Sequence, residues 1–173
     1  MIKEGVEKIL SDLFKKSLTQ VGNNYFTPQQ VQENWIGNPA ATTSEVQKTE
    51  LRLGIQLPED YKEFLSIANG YPTYNDAVEP SFLEVGQIQY LKTYDHEIVE
   101  IWKGTGNDET GAILEQSIII AGMNEEQYFL LIPPNNTTTV WRYWKFASWI
   151  PGEIEYKNLT DYFLDVISSI DSM

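Results

Sequence analysis

The sequence of 173 residues has the length of one ordinary domain, and its 42% apolar residues are enough to form a hydrophobic core. The absence of cysteine excludes disulfides, thiolate zinc sites and cysteine nucleophiles, and it fits a reducing compartment. Twelve basic and 25 acidic residues give a net charge of −13, which disfavours binding to nucleic acids or anionic membranes because both require a positive surface. Such acidity serves either solubility or the attraction of a basic partner.

The first forty residues predict a helical extension. Apolar residues recur at helical spacing from Ile2 to Leu13, with charged residues between them. The first forty residues contain no uninterrupted apolar stretch of the kind found in signal peptides. The longest apolar run of the chain, residues 117–123, is too short to cross a bilayer. We therefore expect a cytoplasmic protein. Thr27 followed by Pro28 is typical of the start of a second helix.

Residues 43–72 carry the most informative pattern, two short helices that meet at a Gly-x-x-Leu-Pro joint. Ser44 and Gln47 have the spacing of a capping box, which predicts that the first helix begins there. Gly54 should follow the end of that helix, and Pro58 should begin the next one.

The remainder of the chain predicts mainly strands, followed by a closing helix. Residues 82–85 and 88–91 predict either two strands or one strand and a turn. Strands are also predicted at residues 117–121, 127–132 and 138–146, and these three should form an antiparallel meander. Helices are predicted at residues 94–103, with Ile98, Ile101 and Trp102 inward, and at 158–170; a polar loop is predicted at 104–111. The order of elements indicates an α+β fold: one domain with a twisted, mainly antiparallel sheet, flanked by N-terminal helices and a closing C-terminal helix.

The aromatic run at residues 141–146 could stack on nucleic-acid bases only in basic surroundings, which this chain lacks. In a strand, Trp144 and Phe146 would share one face, and Trp141 and Tyr143 the other. One face must be core, and the other is either an exposed aromatic patch or covered by the C-terminal helix; of these we expect core packing.

The sequence contains no recognisable catalytic, cofactor-binding or metal-ligating motif. His96 is the only histidine, and the H-E-x-x-H pattern that would pair it on a helix lacks its second histidine. Residues 106–111 have the spacing of a phosphate loop but lack its Lys and Ser/Thr. Adjacent carboxylates do not face each other as those of a glycosidase must. The enzymatic alternative is a hydrolase that uses His96 with Glu97 or Glu100.

The helical pair resembles the signature of the SUKH superfamily, which includes the yeast cell-wall (glucan) synthesis regulator and many bacterial immunity proteins. The matching residues are Val46, Glu50, Leu53, Gly54, Leu57, Pro58, Tyr61, Lys62, Phe64, Leu65, Asn69 and Gly70. The resemblance implies a signature core at residues 43–170 preceded by a helical extension at 1–40. It also implies structural roles for the signature residues, no enzyme activity and no cofactor.

The resemblance implies two kinds of protein partner. Bacterial members are typically encoded beside secreted polymorphic toxins and protect the producer by binding the toxin domain, whereas eukaryotic members are regulatory interaction proteins. Many such toxins are nucleases with basic active-site surfaces, so an immunity protein that binds a basic toxin domain is the first hypothesis. A housekeeping regulator of the cell-wall-synthesis type is the alternative. The candidate partner-binding residues, chosen for charge and expected exposure, are Glu79, Glu84, Asp95, Glu97, Glu100, Asp108, Glu109, Glu125 and Glu126.

Overall fold

A computed structural model describes residues 3–73, 79–106, 108–147 and 153–171. The helices are α1 (Lys3–Val21), α2 (Pro28–Glu33), α3 (Thr43–Leu53), α4 (Glu59–Leu65), α5 (Leu91–Tyr94), α6 (His96–Gly104), α7 (Asp108–Gln116) and α8 (Leu159–Asp171). The strands are β1 (Gln89–Tyr90), β2 (Ile118–Ala121), β3 (Gln127–Ile132), β4 (Arg142–Ala147) and β5 (Glu153–Tyr156). The long N-terminal helix is confirmed from residue 3 onwards; Ile2 lies outside the described residues.

The five strands form one antiparallel sheet in chain order, which confirms the predicted meander. Strand β5 was not predicted because it is short and half of it is glutamate, a residue depleted in strands. Its pairing with β4, in which Phe146 lies opposite Glu153, outweighs that local preference.

Both faces of the sheet are buried, which confirms the α+β class and adds a layer that the sequence did not predict. On one face, Phe129 and Tyr143 pack with α1, α4 and α8. On the other, Trp144 and Phe146 pack with residues of α5, α6 and α7. Core packing of the aromatic run is therefore confirmed.

The predicted start of α3 was two residues late. Thr42 is the N-cap: its hydroxyl accepts a hydrogen bond from the Glu45 N–H at 3.2 Å, and the Glu45 carboxylate accepts one from the Thr42 N–H at 2.7 Å. Ser44 and Gln47 have the same spacing, but Glu45 adds a negative charge at the positive end of the helix. Gly54 does follow the helix, with φ 70°. Pro58 was predicted to be the first residue of α4. It is instead the N-cap, so the helix begins one residue later, at Glu59.

For residues 82–91, two strands was the wrong alternative, and one strand with a turn is closer to the structure, which has a turn at residues 85–87 and the strand β1 after it. Phe82 forms only isolated bridges, with Tyr71 and Ala121, and only the two residues of β1 form a strand in this segment. Because β1 ends where α5 begins at Leu91, the chain leaves the sheet almost at once.

The predicted loop at residues 104–111 was also wrong, because α7 begins at Asp108. Asp108 and Glu109 favour the start of this helix through its dipole. Gly111, which suggested a loop, allows α6 and α7 to pack closely, since a Cβ there would lie 2.8 Å from the backbone nitrogen of Lys103. The inward placement of Ile101 was wrong as well: it is 53% exposed, and Val99 is the buried residue of α6.

Candidate functional site

The signature segment builds the joint between α3 and α4. Glu50 accepts a hydrogen bond from the Leu57 N–H at 2.9 Å with its carboxylate, and from the Gly54 N–H at 2.8 Å with its backbone carbonyl. One glutamate therefore holds both ends of the Gly-x-x-Leu-Pro turn. The apolar signature residues are buried in the core; they are Leu53, Leu57, Tyr61, Phe64 and Leu65. This geometry directs the signature inward and leaves little of it for a partner to contact.

Asn69 and Gly70 fasten the end of this segment to the chain that follows. The Asn69 side chain accepts a hydrogen bond from the Val85 N–H at 2.7 Å. Gly70 has φ 97°, a conformation that other residues rarely adopt, and a Cβ there would lie 3.0 Å from the Phe82 carbonyl oxygen. Both residues thus position the backbone that leads to the sheet.

Three of the candidate carboxylates come together in a groove beside α6. The groove has a volume of about 520 Å³, and we call it the acidic groove. It is lined by Asp95, Ile98, Glu125, Glu126, Tyr128, Phe146 and Ala147. The α5–α6 junction supplies Asp95, and the turn between β2 and β3 supplies the two glutamates. Carboxylates therefore border an apolar and aromatic floor.

Asp95 is fixed in the groove by two hydrogen bonds. Its Oδ1 accepts from the Ile98 N–H at 3.1 Å, which caps α6, and its Oδ2 accepts from the Tyr128 hydroxyl at 2.9 Å. Burial raises the pKa of Tyr128, and the hydrogen bond to Asp95 raises it further, so the phenol stays protonated as a donor. Glu125 is also anchored, because it accepts from the Ser81 N–H at 2.8 Å.

Four further candidates extend the negative charge along the neighbouring helices. Glu97 and Glu100 on α6 are exposed, as are Asp108 and Glu109 in the first turn of α7. We call these four residues together with Asp95, Glu125 and Glu126, all of which lie in or beside the α6–α7 layer, the acidic side. Lys103 lies in the same helix pair and forms ion pairs with Glu115 at 2.9 Å and with Glu100 at 3.5 Å. Its hydrogen bond with Glu115 raises the pKa of Lys103 and lowers that of Glu115.

The other two candidates lie apart from the acidic side. The Glu79 carboxylate accepts from Lys145 Nζ and from the Tyr162 hydroxyl, each at 2.7 Å, and its side chain is only 15% exposed. It faces the α8 layer and holds that layer to the sheet. Glu84 is exposed, but it borders a surface formed with Lys48 and Arg52 of α3.

Two further features bear on the enzymatic alternative. His96 is exposed at the start of α6, and no group of three or more His, Cys, Asp or Glu side chains among the described residues is placed to hold a metal. The cleft between α1 and α8 has a volume of about 50 Å³, against about 150 Å³ for a cavity that admits benzene.

Within the described part of the chain, no helix combines the length and apolarity required to span a bilayer.

Sequence reasoning missed the apolar part of the acidic groove. Tyr128 is the one residue of β3 that is not fully buried, and Ile98 and Phe146 come from two other elements. The only sequence signal was an aromatic residue two positions after the Glu125-Glu126 pair. These three side chains come together only because of the register in which the strands pair. The periodicity of apolar residues along the sequence does not specify that register.

Residues 40–169 match a protein-family model described as the SMI1/KNR4 family (SUKH-1). The match covers more than half of the chain, from just before α3 into α8, and leaves α1 and α2 outside. No curated protein matches this sequence.

Proposed function

Because this chain belongs to the SMI1/KNR4 family (SUKH-1), we propose that it is a bacterial immunity protein that neutralises a toxin domain by binding to it directly. Membership of this family supports a protein-binding module of the immunity or regulatory kind, whose members are generally not catalytic. In the proposed role it acts in the cytoplasm of the cell that makes the toxin, and it transforms no substrate.

The observation that carries the proposal is the acidic side. Seven of the nine candidate carboxylates lie in or beside the α6–α7 layer, on a chain with a net charge of −13. A surface of one sign attracts a partner of the opposite sign over long distances and speeds association. Many toxins of these systems are nucleases, whose active sites must be basic to hold nucleic acid, so such a toxin would meet the acidic side with complementary charge.

The acidic groove gives this surface a specific contact. Lysine and arginine side chains have apolar stems and charged ends. Ile98 and Phe146 would contact such a stem, while Asp95 and Glu126 would face its charge. Tyr128 adds an aromatic ring within the same groove, and rings of this kind attract cations. We expect an interface of the standard size, about 1,600 Å², centred on this groove.

A housekeeping regulator is the second candidate, and the same family membership supports it. It predicts a partner that is not toxic and a gene outside any toxin cluster. The two roles differ in the consequence of binding, since an immunity protein rescues cells and a regulator does not.

The proposal is tested by expressing this protein with the product of an adjacent toxin-like reading frame. We expect the two to co-purify and the cells to survive. Charge neutralisation at three exposed positions of the acidic side (Glu97→Gln, Glu109→Gln, Glu126→Gln) should weaken binding about tenfold, because exposed ion pairs contribute about 0.5 kcal/mol each.

The matched control removes three exposed charges elsewhere (Glu7→Gln, Glu33→Gln, Glu59→Gln) and should change the affinity less than about twofold. Equal weakening by both triple variants would show that total charge, and not the acidic side, determines binding. If the two proteins do not co-purify and the cells are not rescued, the immunity proposal is refuted.

A further inference from the structure

The two edges of the sheet differ in how they are covered. At the β1 edge, Arg52 of α3 donates hydrogen bonds from Nη2 to the Ile88 carbonyl at 2.8 Å and to the Gly86 carbonyl at 3.3 Å. At the β5 edge, Glu153, Ile154 and Glu155 are all exposed. Backbone hydrogen bonds among the described residues join β5 to β4 and to no other segment. Alternate residues of an edge strand direct their N–H and C=O groups away from the sheet, so β5 presents backbone groups with which no described residue pairs.

We propose that the outer edge of β5 pairs with an extended segment of the protein partner, in which basic and apolar residues alternate. This inference rests on the proposed function for its assumption that the partner is a basic protein. It adds the mode of contact, which is the addition of a sixth strand to the sheet. Backbone hydrogen bonds would supply affinity, and the side chains of β5 would supply selectivity.

The side chains of β5 define what this segment must carry. Glu153 and Glu155 lie opposite Phe146 and Trp144, so they face the α5–α7 layer; Ile154 faces the other way. An incoming strand that matches this alternation would place lysine or arginine beside the two glutamates and an apolar residue beside Ile154. Ile154 is 42% exposed, which leaves apolar area for that residue to cover.

Glu155 is held in position for such a contact. Its Oε2 accepts hydrogen bonds from Trp144 Nε1 at 2.8 Å and from Arg142 Nη1 at 3.0 Å. No described residue donates a hydrogen bond to its Oε1, and its side chain is 46% exposed. The two donors therefore fix the carboxylate and leave one oxygen for a cation on the partner.

The β5 edge lies one strand away from the acidic groove. Phe146, which lies opposite Glu153, also lines that groove with Asp95, Glu125 and Glu126. A basic segment paired with β5 would therefore pass beside the groove, and one partner could contact both.

Charge argues against a second copy of this chain as the occupant. Two β5 strands paired edge to edge would bring the Glu153 and Glu155 side chains of both copies together, and like charges on neighbouring strands are destabilising. Each chain also carries a net charge of −13. The short, charged edge thus disfavours self-association and selects for a basic strand.

The test uses a capped seven-residue peptide of alternating lysine and valine, titrated into the ¹⁵N-labelled full chain and followed by NMR. We expect saturable amide shifts and slowed amide exchange centred on residues 153–156. A glutamate–valine peptide of the same length should produce neither. A lysine–valine peptide with N-methyl groups on the amides of its pairing edge should lose the effect, because it cannot form the ladder of backbone hydrogen bonds.

A charge reversal at the exposed Glu153 (Glu153→Lys) should weaken lysine–valine binding about fivefold. Glu7→Lys makes the same charge change at an exposed position of α1, and it should leave the affinity for the peptide unchanged. The N-methylated peptide tests the inference on the unmodified chain, so the result does not depend on the folding of any variant.

Shifts that avoid residues 153–156, or that persist with the N-methylated peptide, would overturn this inference. That result would leave the immunity proposal standing if the toxin still co-purifies. Conversely, peptide binding at β5 with neither a co-purifying toxin nor rescue of the cells would support the edge contact and refute the immunity role.

Discussion

Tyrosine hydroxyls paired with carboxylates join the elements of this protein at the scale of single residues. Tyr143 on β4 donates to Asp60 of α4 at 2.9 Å, and Tyr162 on α8 donates to Glu79 at 2.7 Å. Burial raises the pKa of both phenols, and the neighbouring carboxylates raise it further, so both remain protonated donors. Tyr61 differs: it is fully buried, and its hydroxyl has no hydrogen-bond partner among the described residues.

Because the Tyr162 hydroxyl has a hydrogen-bond partner and the Tyr61 hydroxyl has none among the described residues, replacing each tyrosine by phenylalanine should change the free energy of unfolding in different directions. Tyr61→Phe should leave the free energy of unfolding unchanged or raise it by up to about 1 kcal/mol, because it removes an unsatisfied polar group. Tyr162→Phe should lower it by about 1.5–3 kcal/mol, because the hydrogen bond that it removes goes to a charged group. Urea unfolding of the two variants measures both values. A loss above about 1 kcal/mol for Tyr61→Phe would show that its hydroxyl has a partner.

At the scale of elements, capping decides where the helices begin. The Thr42–Glu45 capping box starts α3, and Thr27 with Gln30 forms a second box at α2, as Thr27-Pro28 suggested. The hydrogen bonds from Thr42 lower the pKa of Glu45. A lowered carboxyl pKa stabilises the fold above the unfolded value of about 4.3, and this contribution is lost as the pH falls through the folded value.

Thr42→Ala should therefore lower the free energy of unfolding by about 1 kcal/mol at neutral pH. Ser44→Ala is the matched control, since sequence spacing alone made Ser44 an equal candidate for the cap, and it should cost less than about 0.5 kcal/mol. Both values come from urea unfolding monitored by circular dichroism. A larger cost at Ser44 than at Thr42 would contradict the observed cap.

For the whole molecule, patterns within one element were predictable and contacts between elements were not. The β-branched and aromatic runs predicted β2, β3 and β4, and apolar spacing predicted α1 and α8. Gly111 misled the prediction because its role is a close approach to Lys103, a contact that spacing along the chain does not reveal.

The same limit applies to the candidate site. Charge correctly marked Glu97, Glu109 and Glu126 as exposed, but it could not show that Lys145 and Tyr162 enclose Glu79. Nor could it show that the α5–α6 junction meets the β2–β3 turn to form the acidic groove. Both arrangements follow from the order and register of the whole sheet.

The proposed function requires that the acidic side of this chain attracts a basic protein. The most direct measurement is the association rate constant with the co-purifying toxin-like protein between 50 and 500 mM NaCl, by stopped-flow fluorescence. We expect the rate constant to fall at least about tenfold over this range while dissociation changes little, because salt screens steering between exposed charges. An association rate constant that does not depend on salt would contradict the account.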